Sequence, residues 1–417
     1  MKKSQIGKWS VGLVGGALLA GVGCGMDPAS SGLAGEPFVS EDPAITTENG
    51  LNSVNGLSST NGLNSVNGLS STNGLNSVNG LQNKVGLMST AAGRDTVAYL
   101  IRCALPPGRS ITKLDEAGVS HTYGGQIGVA PEWETAGCGT SCQELVSACL
   151  LAHINTTGQH IPLWLDGDSP NVGWGQSTSF PFQEGSFYGN LFTSPPKAYY
   201  CDGKDFAFGV VPGRIGATQA GAPYTNPLGT NVLCKYRCTA ANTSGDGFSS
   251  CPGYGADKFS HVMTVWRNFE PATAYKICNR SSTKCLGAVG SSKTSGAQIG
   301  QYTYSSSLAG AKWNVIQVSP GKYKVVNVNS GLALSTAGGA VADGTALVQL
   351  AYSSAATQIW SVKSMADTTG FFTMMPSSST TAAATVPTSA LSTEGAVVGV
   401  SAYFMGDYQK WAFTLAN

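Results

Sequence analysis

The last third of this chain contains a unit of about 48 residues that occurs three times. The segment YKICN at residues 275–279 returns as YKVVN at 323–327 and, in a more divergent form, as FTMMP at 372–376. Each copy ends on a tryptophan, at Trp313, Trp360 and Trp411. Self-similarity at a fixed period indicates one supersecondary unit copied, because a single copy cannot bury its own apolar face.

The unit has the pattern of short strands. Residues 323–327 alternate apolar and polar side chains, which is strand periodicity. Turn-forming residues follow at 329–331, 337–339 and 343–344. Four short strands fit into one unit at this turn density. Three units therefore predict one small closed barrel, a form that removes exposed sheet edges.

Residues 273–417 resemble a ricin-type β-trefoil lectin, a family whose repeats end in Gln-x-Trp. That motif is intact at 358–360 and 409–411, whereas the first repeat reads AKW at 311–313. The resemblance implies an all-β trefoil over residues 271–417 and a carbohydrate or glycoconjugate ligand.

The sugar pockets that the resemblance implies are altered in all three repeats. In that family an Asp after the Cys-Leu or Ala-Leu step binds sugar hydroxyls, a ring stacks on the sugar, and an Asn precedes the Gln of the motif. The Asp positions read Gly287, Ser335 and, as the nearest match, Thr385. The ring positions read Tyr302, Leu350 and Ser401. The Asn positions read Gly310, Thr357 and Tyr408.

Two interpretations of these changes stay open. In the first, the Trp and Gln residues of the motif only build the trefoil core. In the second, altered pockets bind sugar through tyrosine platforms, for which the candidates are Tyr302, Tyr304, Tyr352 and Tyr403.

Composition excludes several function classes. Only 11% of the 417 residues are charged and the net charge is +1, against about 25% charged residues in ordinary soluble domains. The lack of a basic stripe argues against a nucleic-acid partner. Neither a Walker loop, nor a Gly-x-Ser-x-Gly motif, nor a dinucleotide fingerprint occurs, so no cofactor is predicted.

The N-terminus has the features of an export signal. Lys2, Lys3 and Lys8 precede a short apolar segment at 11–22. Residues 21–25, GVGCG, resemble a bacterial lipobox, in which the cysteine becomes the lipid-modified first residue, although Gly21 stands where that motif prefers Leu. The expectation is a signal peptide over 1–24 and an outer-membrane or cell-surface lipoprotein held in the membrane through Cys24. Free extracellular secretion is the alternative.

The other ten cysteines form an even set that predicts disulfides in an oxidising compartment. They are Cys103, Cys138, Cys142, Cys149, Cys201, Cys234, Cys238, Cys251, Cys278 and Cys285. The last two flank a tight turn, where a cross-strand bridge is reasonable. The first eight allow 105 pairings, which the sequence leaves open. A Cys-x3-Cys spacing at 138/142 and 234/238 also suits zinc, but the even count in an exported chain favours disulfides and no metal.

A second repeat has a period of six residues. Asn-Gly-Leu begins at 49, 55, 61, 67, 73 and 79, and VGL at 85–87 is a degraded copy. Asn-Gly favours turns, and one Leu in six residues supplies little apolar area. We interpret residues 25–92 as a flexible spacer, with a short solenoid as the alternative.

Residues 93–270 are expected to form a separate disulfide-rich α+β domain of no recognised family. Residues 96–105 have the pattern of a buried strand, and 142–155 that of a helix with a capping box from Ser141 to Glu144. Cys142 and Cys149 share one face of that helix and are expected to bridge to the sheet beneath. Further strands are predicted at 161–165, 187–192, 206–211 and 259–266.

The candidate catalytic residues of this domain are five carboxylates that lie near aromatic residues in the sequence. They are Glu132, Glu134, Asp166, Asp168 and Glu184. Glycoside hydrolysis needs two carboxyl groups about 5–10 Å apart. Any domain of this size has such acids, so solvated loop positions are the alternative. None of the four histidines lies in a recognised motif.

The sequence thus favours an exported, lipid-anchored, carbohydrate-binding protein without catalytic chemistry. Two alternatives stay open. One is a secreted hydrolase acting on polysaccharide through residues 93–270, with the trefoil as its targeting module. The other is a structural surface protein whose trefoil binds no sugar.

Overall fold

The structure is a computed structural model that describes residues 69–155, 161–175, 177–214, 232–242, 247–365 and 370–416, together with the backbone of 45–49. The signal peptide, Cys24 and the repeat copies within 50–68 lie outside the described residues. Every helix of the described residues is too short or too polar to cross a lipid bilayer.

Within the described residues before 270, the structure has three α-helices and ten strands. In chain order they are β1 Ile45–Asn49, α1 Ala91–Ala104, β2 Ser110–Leu114, β3 Ser120–Gly124, α2 Thr140–Ala152, β4 Ile161–Gly167, β5 Phe182–Asn190, β6 Lys197–Asp202, α3 Lys204–Ala207, β7 Thr239–Ala240, β8 Phe248–Pro252, β9 Lys258–Phe259 and β10 Val262–Arg267. An antiparallel sheet in the order β1-β4-β10-β5-β6 is the central layer. Helices α1 and α2 pack with this sheet around one apolar core.

Helix α1 lies where the sequence predicts a strand at 96–105, so that prediction is wrong. Thr90 accepts a hydrogen bond from the backbone N–H of Gly93 at 3.0 Å and caps the helix. Buried residues then recur at helical spacing, at Val97, Leu100, Ile101 and Ala104. The apolar run contains no alternation, and periodicity alone does not separate a buried strand from a buried helix in such a run.

Helix α2 is present as predicted, but the expected capping box is not. Gly139 occupies the N-cap and makes no side-chain capping bond. The Ser141 hydroxyl instead bonds His261, and Glu144 accepts the backbone N–H of Ser260 at 3.0 Å. Both side chains are thus engaged by the turn that precedes β10, which fixes the start of the helix against that turn.

The predicted strand at 206–211 is also wrong, since the short helix α3 and a loop occupy that segment. Backbone N–H groups at 207, 208 and 209 donate to carbonyls three or four residues earlier, as in a helical turn. The Gly and Pro residues that follow at 209–213 end the regular structure.

The ten cysteines form five disulfides. The pairs are Cys103–Cys149, Cys138–Cys142, Cys201–Cys234, Cys238–Cys251 and Cys278–Cys285. The predicted bridge across the first trefoil turn is therefore present. The expectation that α2 bridges to the sheet is wrong, because Cys149 pairs with Cys103 of α1 and Cys142 pairs with Cys138 just before its own helix. The local pair staples the first turn of α2.

The last copies of the six-residue repeat belong to the core. Their leucines are fully or almost fully buried among the residues of α1 and α2: Leu69, Leu75, Leu81 and Leu87. The backbone of the same copies bonds the domain, since Leu75 N–H donates to the Trp133 carbonyl at 2.8 Å and Trp133 Nε1 donates to Asn73 at 3.2 Å. A Cβ at Gly74 would meet the backbone of Thr135 at 2.4 Å, so only glycine fits there. The expectation of a flexible spacer does not hold for residues 69–92, because successive turns direct each leucine to the same side.

The C-terminal region consists of three repeats of four strands, as the 48-residue period predicts. Repeat 1 contains β11 Ala274–Asn279, β12 Cys285–Ala288, β13 Ile299–Tyr302 and β14 Trp313–Ser319. Repeat 2 contains β15 Lys322–Asn327, β16 Ala333–Thr336, β17 Thr345–Leu350 and β18 Trp360–Ser364. Repeat 3 contains β19 Phe372–Pro376, β20 Ala382–Thr385, β21 Gly399–Ala402 and β22 Trp411–Leu415. The first and last strands of the repeats pair around a closed six-stranded barrel, and the middle strands form three hairpins.

The barrel shares its core with the preceding domain through Phe269 and Phe182. The ring centroid of Phe269 lies 5.2 Å from Tyr275, 5.3 Å from Tyr323 and 5.1 Å from Phe413, all of which are barrel residues. Phe182 of β5 stacks edge-on against Phe269 at 4.4 Å. Aromatic pairs at these distances stabilise beyond their buried area. The two regions are therefore joined at one end of the barrel.

Candidate functional site

The tryptophans that end the repeats define equivalent positions in the trefoil. Trp313, Trp360 and Trp411 donate from Nε1 to the carbonyls of Leu286, Leu334 and Ala384, at 2.9, 3.0 and 3.0 Å. The residue after each acceptor is the family's Asp position. Thr385 is therefore the third-repeat equivalent of Gly287 and Ser335.

None of these three positions presents a polar group as the family's Asp does. Ser335 is buried and its hydroxyl bonds the adjacent carbonyl of Thr336. Thr385 donates to the Ala383 carbonyl and accepts from Gln409. At Gly287 a Cβ would lie 3.0 Å from Cδ2 of Tyr302, so that ring covers the position.

The glutamines of the Gln-x-Trp motif are engaged within the fold. Gln358 donates to the Ala351 carbonyl at 2.7 Å and accepts the backbone N–H of Ser353. Gln409 makes the same pair of bonds, to Ala402 and from Phe404. Both side chains are buried, which favours the interpretation that they build the trefoil.

Three of the candidate tyrosines occupy one equivalent position. Tyr304, Tyr352 and Tyr403 each follow the third strand of their repeat and are partly exposed. The ammonium groups of Lys276 and Lys324 lie 4.8 Å from the ring centroids of Tyr304 and Tyr352. These cation–π contacts orient the rings and place a donor beside each one.

Repeat 1 adds an acid that comes from repeat 3. The Glu394 carboxylate accepts from Lys284 Nζ at 2.5 Å and from the Thr303 backbone N–H at 3.0 Å. The Lys284 hydrogen bond, followed by those from Thr303, lowers the pKa of Glu394 to about 2. Tyr302 borders this cluster, where burial and then the charge of Glu394 raise the pKa of its hydroxyl. The cluster therefore presents a permanent carboxylate, an ammonium group and a phenol at one edge of the barrel.

At a second edge of the barrel, an acid of one repeat also accepts a backbone N–H of another repeat. Asp343 of repeat 2 accepts the backbone N–H of Ala402 at 2.7 Å, in the place where Glu394 accepts that of Thr303. Ala402 carries no side-chain hydroxyl, and its repeat has Ser401 where repeat 1 has Tyr302. Repeat 1 is thus the edge that combines the acid with two tyrosines.

The five candidate carboxylates of the preceding domain lie in separate settings. Glu132 is exposed in a short 3₁₀ helix, and Glu134 of the same helix pairs with Arg109 at 2.8 Å. Asp166 is buried and accepts from Trp266 Nε1 at 3.4 Å. Asp168 is exposed at the end of β4.

Glu184 is buried between two arginines. It accepts from Nε of Arg214 at 2.8 Å and from Nη1 of Arg267 at 2.9 Å. Glu184 and Asp202 line one small cavity, where burial raises the pKa of Asp202 to about 6. Both carboxylate oxygens of Glu184 therefore accept from guanidinium groups, which favours a structural role for this residue over a catalytic one.

Asp168 instead adjoins two residues that sequence reasoning missed. His261 Nδ1 lies 3.6 Å from its carboxylate, and His261 Nε2 lies 2.7 Å from the Ser141 hydroxyl. Ser141 and His261 are 120 residues apart, and neither lies in a catalytic sequence motif. The only local signal at Ser141 was the pattern that predicted a capping box.

Comparison with known proteins found similarities to the trefoil region of this chain. Residues 263–350 and 309–401 match the family model described as ricin-type β-trefoil lectin domain-like. The designed three-fold symmetric protein ThreeFoil is 30% identical over 34% of this chain and 97% of its own, with a TM-score of 0.32. No curated protein matches significantly.

Two natural solved structures align with the same third of the chain. An exo-β-1,3-galactanase from Clostridium thermocellum is 26% identical over 36% of this chain and 32% of its own, with a TM-score of 0.33. The ricin B-like lectin of Macrolepiota procera, solved with lactose, is 20% identical over 36% of this chain and 99% of its own, with a TM-score of 0.31. The family match and the closed three-fold barrel together identify the C-terminal region as a ricin-type β-trefoil domain.

Proposed function

We propose that the trefoil binds carbohydrate at the edge of repeat 1 and that the protein is an exported, lipid-anchored lectin of the cell surface. The observation that carries the proposal is the cluster of Glu394, Lys284 and Thr303 beside Tyr302 and Tyr304. This cluster supplies the acid that Gly287 lacks, from a neighbouring repeat.

The chemistry of the cluster suits a sugar. A carboxylate accepts hydrogen bonds from paired hydroxyls, an ammonium group donates to ring or hydroxyl oxygens, and a tyrosine ring packs on the apolar face of a pyranose. Because the pKa of Glu394 is about 2, the carboxylate stays ionised across the ordinary pH range. The side chain of Glu394 is 53% exposed, so a ligand reaches it from solvent.

The position of the preceding domain leaves this edge open. Phe182 and Phe269 contact the end of the barrel, whereas Tyr302 and Tyr304 stay partly exposed. A trefoil that served only as packing surface would bury the edges that carry the tyrosines. This arrangement supports a binding function over the structural alternative.

A glycan array probed with the full oxidised chain tests the proposal. We expect Tyr304→Ala and Glu394→Gln each to weaken binding of the retained glycan about tenfold or more, since loss of one stacking ring or one charged acceptor removes about 1.5 kcal/mol. Tyr236→Ala, which removes a 73% exposed tyrosine of the preceding domain, is the matched control. If the folded chain retains no glycan, or if all three variants bind equally, the repeat 1 site is wrong.

The anchor is a separate part of the proposal, supported by the apolar segment before Cys24. The intact mass of the mature protein tests it. A diacylglyceryl group on an N-terminal Cys24 supports the anchor, and an unmodified N-terminus contradicts it.

A further inference from the structure

Three segments bring a serine, a histidine and an aspartate together at the surface. Ser141 is the second residue of α2, His261 lies between β9 and β10, and Asp168 follows β4 directly. Strands β4 and β10 are antiparallel neighbours in which Gly167 pairs with Met263, so Asp168 and His261 lie at the same end of the pair. Glu144 bonds the N–H of Ser260 and holds the start of α2 against this end.

The distances follow the order of a nucleophile, a base and an orienting acid. The Ser141 hydroxyl lies 2.7 Å from His261 Nε2, within hydrogen-bond reach. Among the described residues, His261 Nδ1 is buried and makes no hydrogen bond, and the Asp168 carboxylate lies 3.6 Å from it. Asp168 is 56% exposed, so its side chain has room to rotate toward Nδ1.

The first turn of α2 places backbone donors beside the same hydroxyl. The N–H of Gln143 donates to the Gly139 carbonyl at 2.9 Å, which is the first backbone hydrogen bond of the helix. The N–H groups of Ser141 and Cys142 come before this bond, at the helix end where N–H groups have no partner within the helix. The helix dipole adds positive potential there. The disulfide between Cys138 and Cys142 fixes the turn that carries these donors. Donors held in this way stabilise an oxyanion without reorganising.

We propose that Ser141, His261 and Asp168 form a hydrolytic site for esters of small carboxylic acids. The Ser141 Oγ attacks the ester carbonyl carbon while its proton passes to His261 Nε2. The tetrahedral oxyanion faces the N–H groups of Ser141 and Cys142. The carbon–oxygen bond to the alcohol then breaks, and the alcohol leaves with the proton from His261. Water attacks the acyl-serine carbonyl carbon and gives one proton to His261. The bond from this carbon to Ser141 Oγ then breaks, Oγ takes the proton back from His261, and the carboxylic acid leaves.

The solvent exposure of the three residues indicates which class of ester the site accepts. Ser141 and Asp168 are both exposed, and His261 is partly exposed. An ester group on a large molecule therefore reaches Oγ directly from solvent. A Cβ built at Gly139 would meet nothing within 4 Å, so this side of the α2 start offers no apolar wall to a long acyl chain, and the acyl group that we assign is small, such as acetyl. This activity is independent of the carbohydrate-binding proposal.

The test uses the full oxidised chain with p-nitrophenyl acetate and with a fluorophosphonate probe that labels activated serines. We expect esterase activity and a single covalent adduct on Ser141. Ser141→Ala and His261→Asn are expected to lower kcat/KM by about 10²- to 10⁴-fold, the contribution of general-base catalysis. Asp168 acts through His261 as a positioning residue, so Asp168→Asn is expected to lower kcat with KM unchanged.

Ser260→Ala is the matched control, because Ser260 is an exposed serine next to His261, and the substitution keeps the backbone N–H that donates to Glu144. It is expected to keep full activity and labelling. Circular dichroism of each variant establishes that it is folded. A folded wild-type chain that shows neither ester hydrolysis nor an adduct on Ser141 between pH 6 and about 9 overturns the proposal. Labelling that survives His261→Asn overturns it as well.

Discussion

Replacing Glu184 with glutamine is expected to lower the free energy of unfolding by about 3–5 kcal/mol, the usual result of removing one partner from a buried ion pair. Glu184 neutralises both Arg214 and Arg267, and all three side chains are at most 5% exposed. A glutamine keeps the shape but leaves two buried guanidinium charges with less compensation. Glu270 also pairs with Arg267 and keeps part of the compensation of that guanidinium in the variant. Urea unfolding followed by fluorescence measures the change.

The same substitution at Glu134 is the control, because Glu134 pairs with an arginine whose side chain is 62% exposed. Exposed pairs of this kind contribute about 0–1 kcal/mol. Equal losses for Glu184→Gln and Glu134→Gln would contradict a structural role for the buried cluster. A stable Glu184→Gln variant with altered ligand or ester chemistry would return Glu184 to the list of catalytic candidates.

Replacing Phe269 with alanine is expected to destabilise the protein by about 3–5 kcal/mol, as for other fully buried aromatic residues. The cavity would open where the barrel meets β5, since Phe269 contacts Phe182 on one side and Tyr275, Tyr323 and Phe413 on the other. Because one side chain serves both regions, we expect their unfolding to separate. Differential scanning calorimetry measures both effects.

Phe404→Ala is the matched control, since Phe404 is 73% exposed on the trefoil. It is expected to change the stability by less than about 0.5 kcal/mol. A single unfolding transition with an unchanged midpoint in Phe269→Ala would show that the barrel and the preceding domain do not depend on this contact.

The trefoil was predictable because its signals are local and repeated. Each tryptophan closes a unit of four strands whose alternation is visible within five residues, and three copies reinforce one pattern. The structure confirms the closed barrel and the bridge between Cys278 and Cys285. The cluster at Glu394 was not predictable, because it comes from packing of repeat 3 against repeat 1.

For a different reason, the sequence did not predict helix α1 or the leucine turns, which are the six-residue repeats that carry Leu69, Leu75, Leu81 and Leu87. In α1, apolar residues occupy nearly every position from Val97 to Ala104, so the sequence contains no period. In the six-residue repeat, one Leu per turn is too little to specify a core by itself. The partner surface that buries Leu75 and Leu81 comes from α1 and α2, which only the fold supplies.

The site at Ser141 could not be predicted from the sequence for a third reason. Asp168 was a candidate because acids near aromatic residues suit hydrolysis, but its partners come from segments 27 residues before and 93 residues after it. Antiparallel pairing of β4 with β10 and the docking of α2 create that proximity. The spacing of these residues in the sequence indicates neither the strand pairing nor the packing of α2. His261 lies in no catalytic motif, so its neighbours in the sequence do not mark it as functional.

The leucine turns have a consequence for how this chain can vary in length. A tandem repeat gains or loses whole copies, and here each copy is six residues long. Insertion of a copy before Leu69 shifts no leucine of the buried set out of phase, so the segment ahead of the core lengthens by one unit while the core keeps its packing. An insertion of any other length within residues 69–87 would rotate later leucines away from α1 and α2. Within residues 69–87, a length change is therefore expected to be tolerated only in steps of six residues.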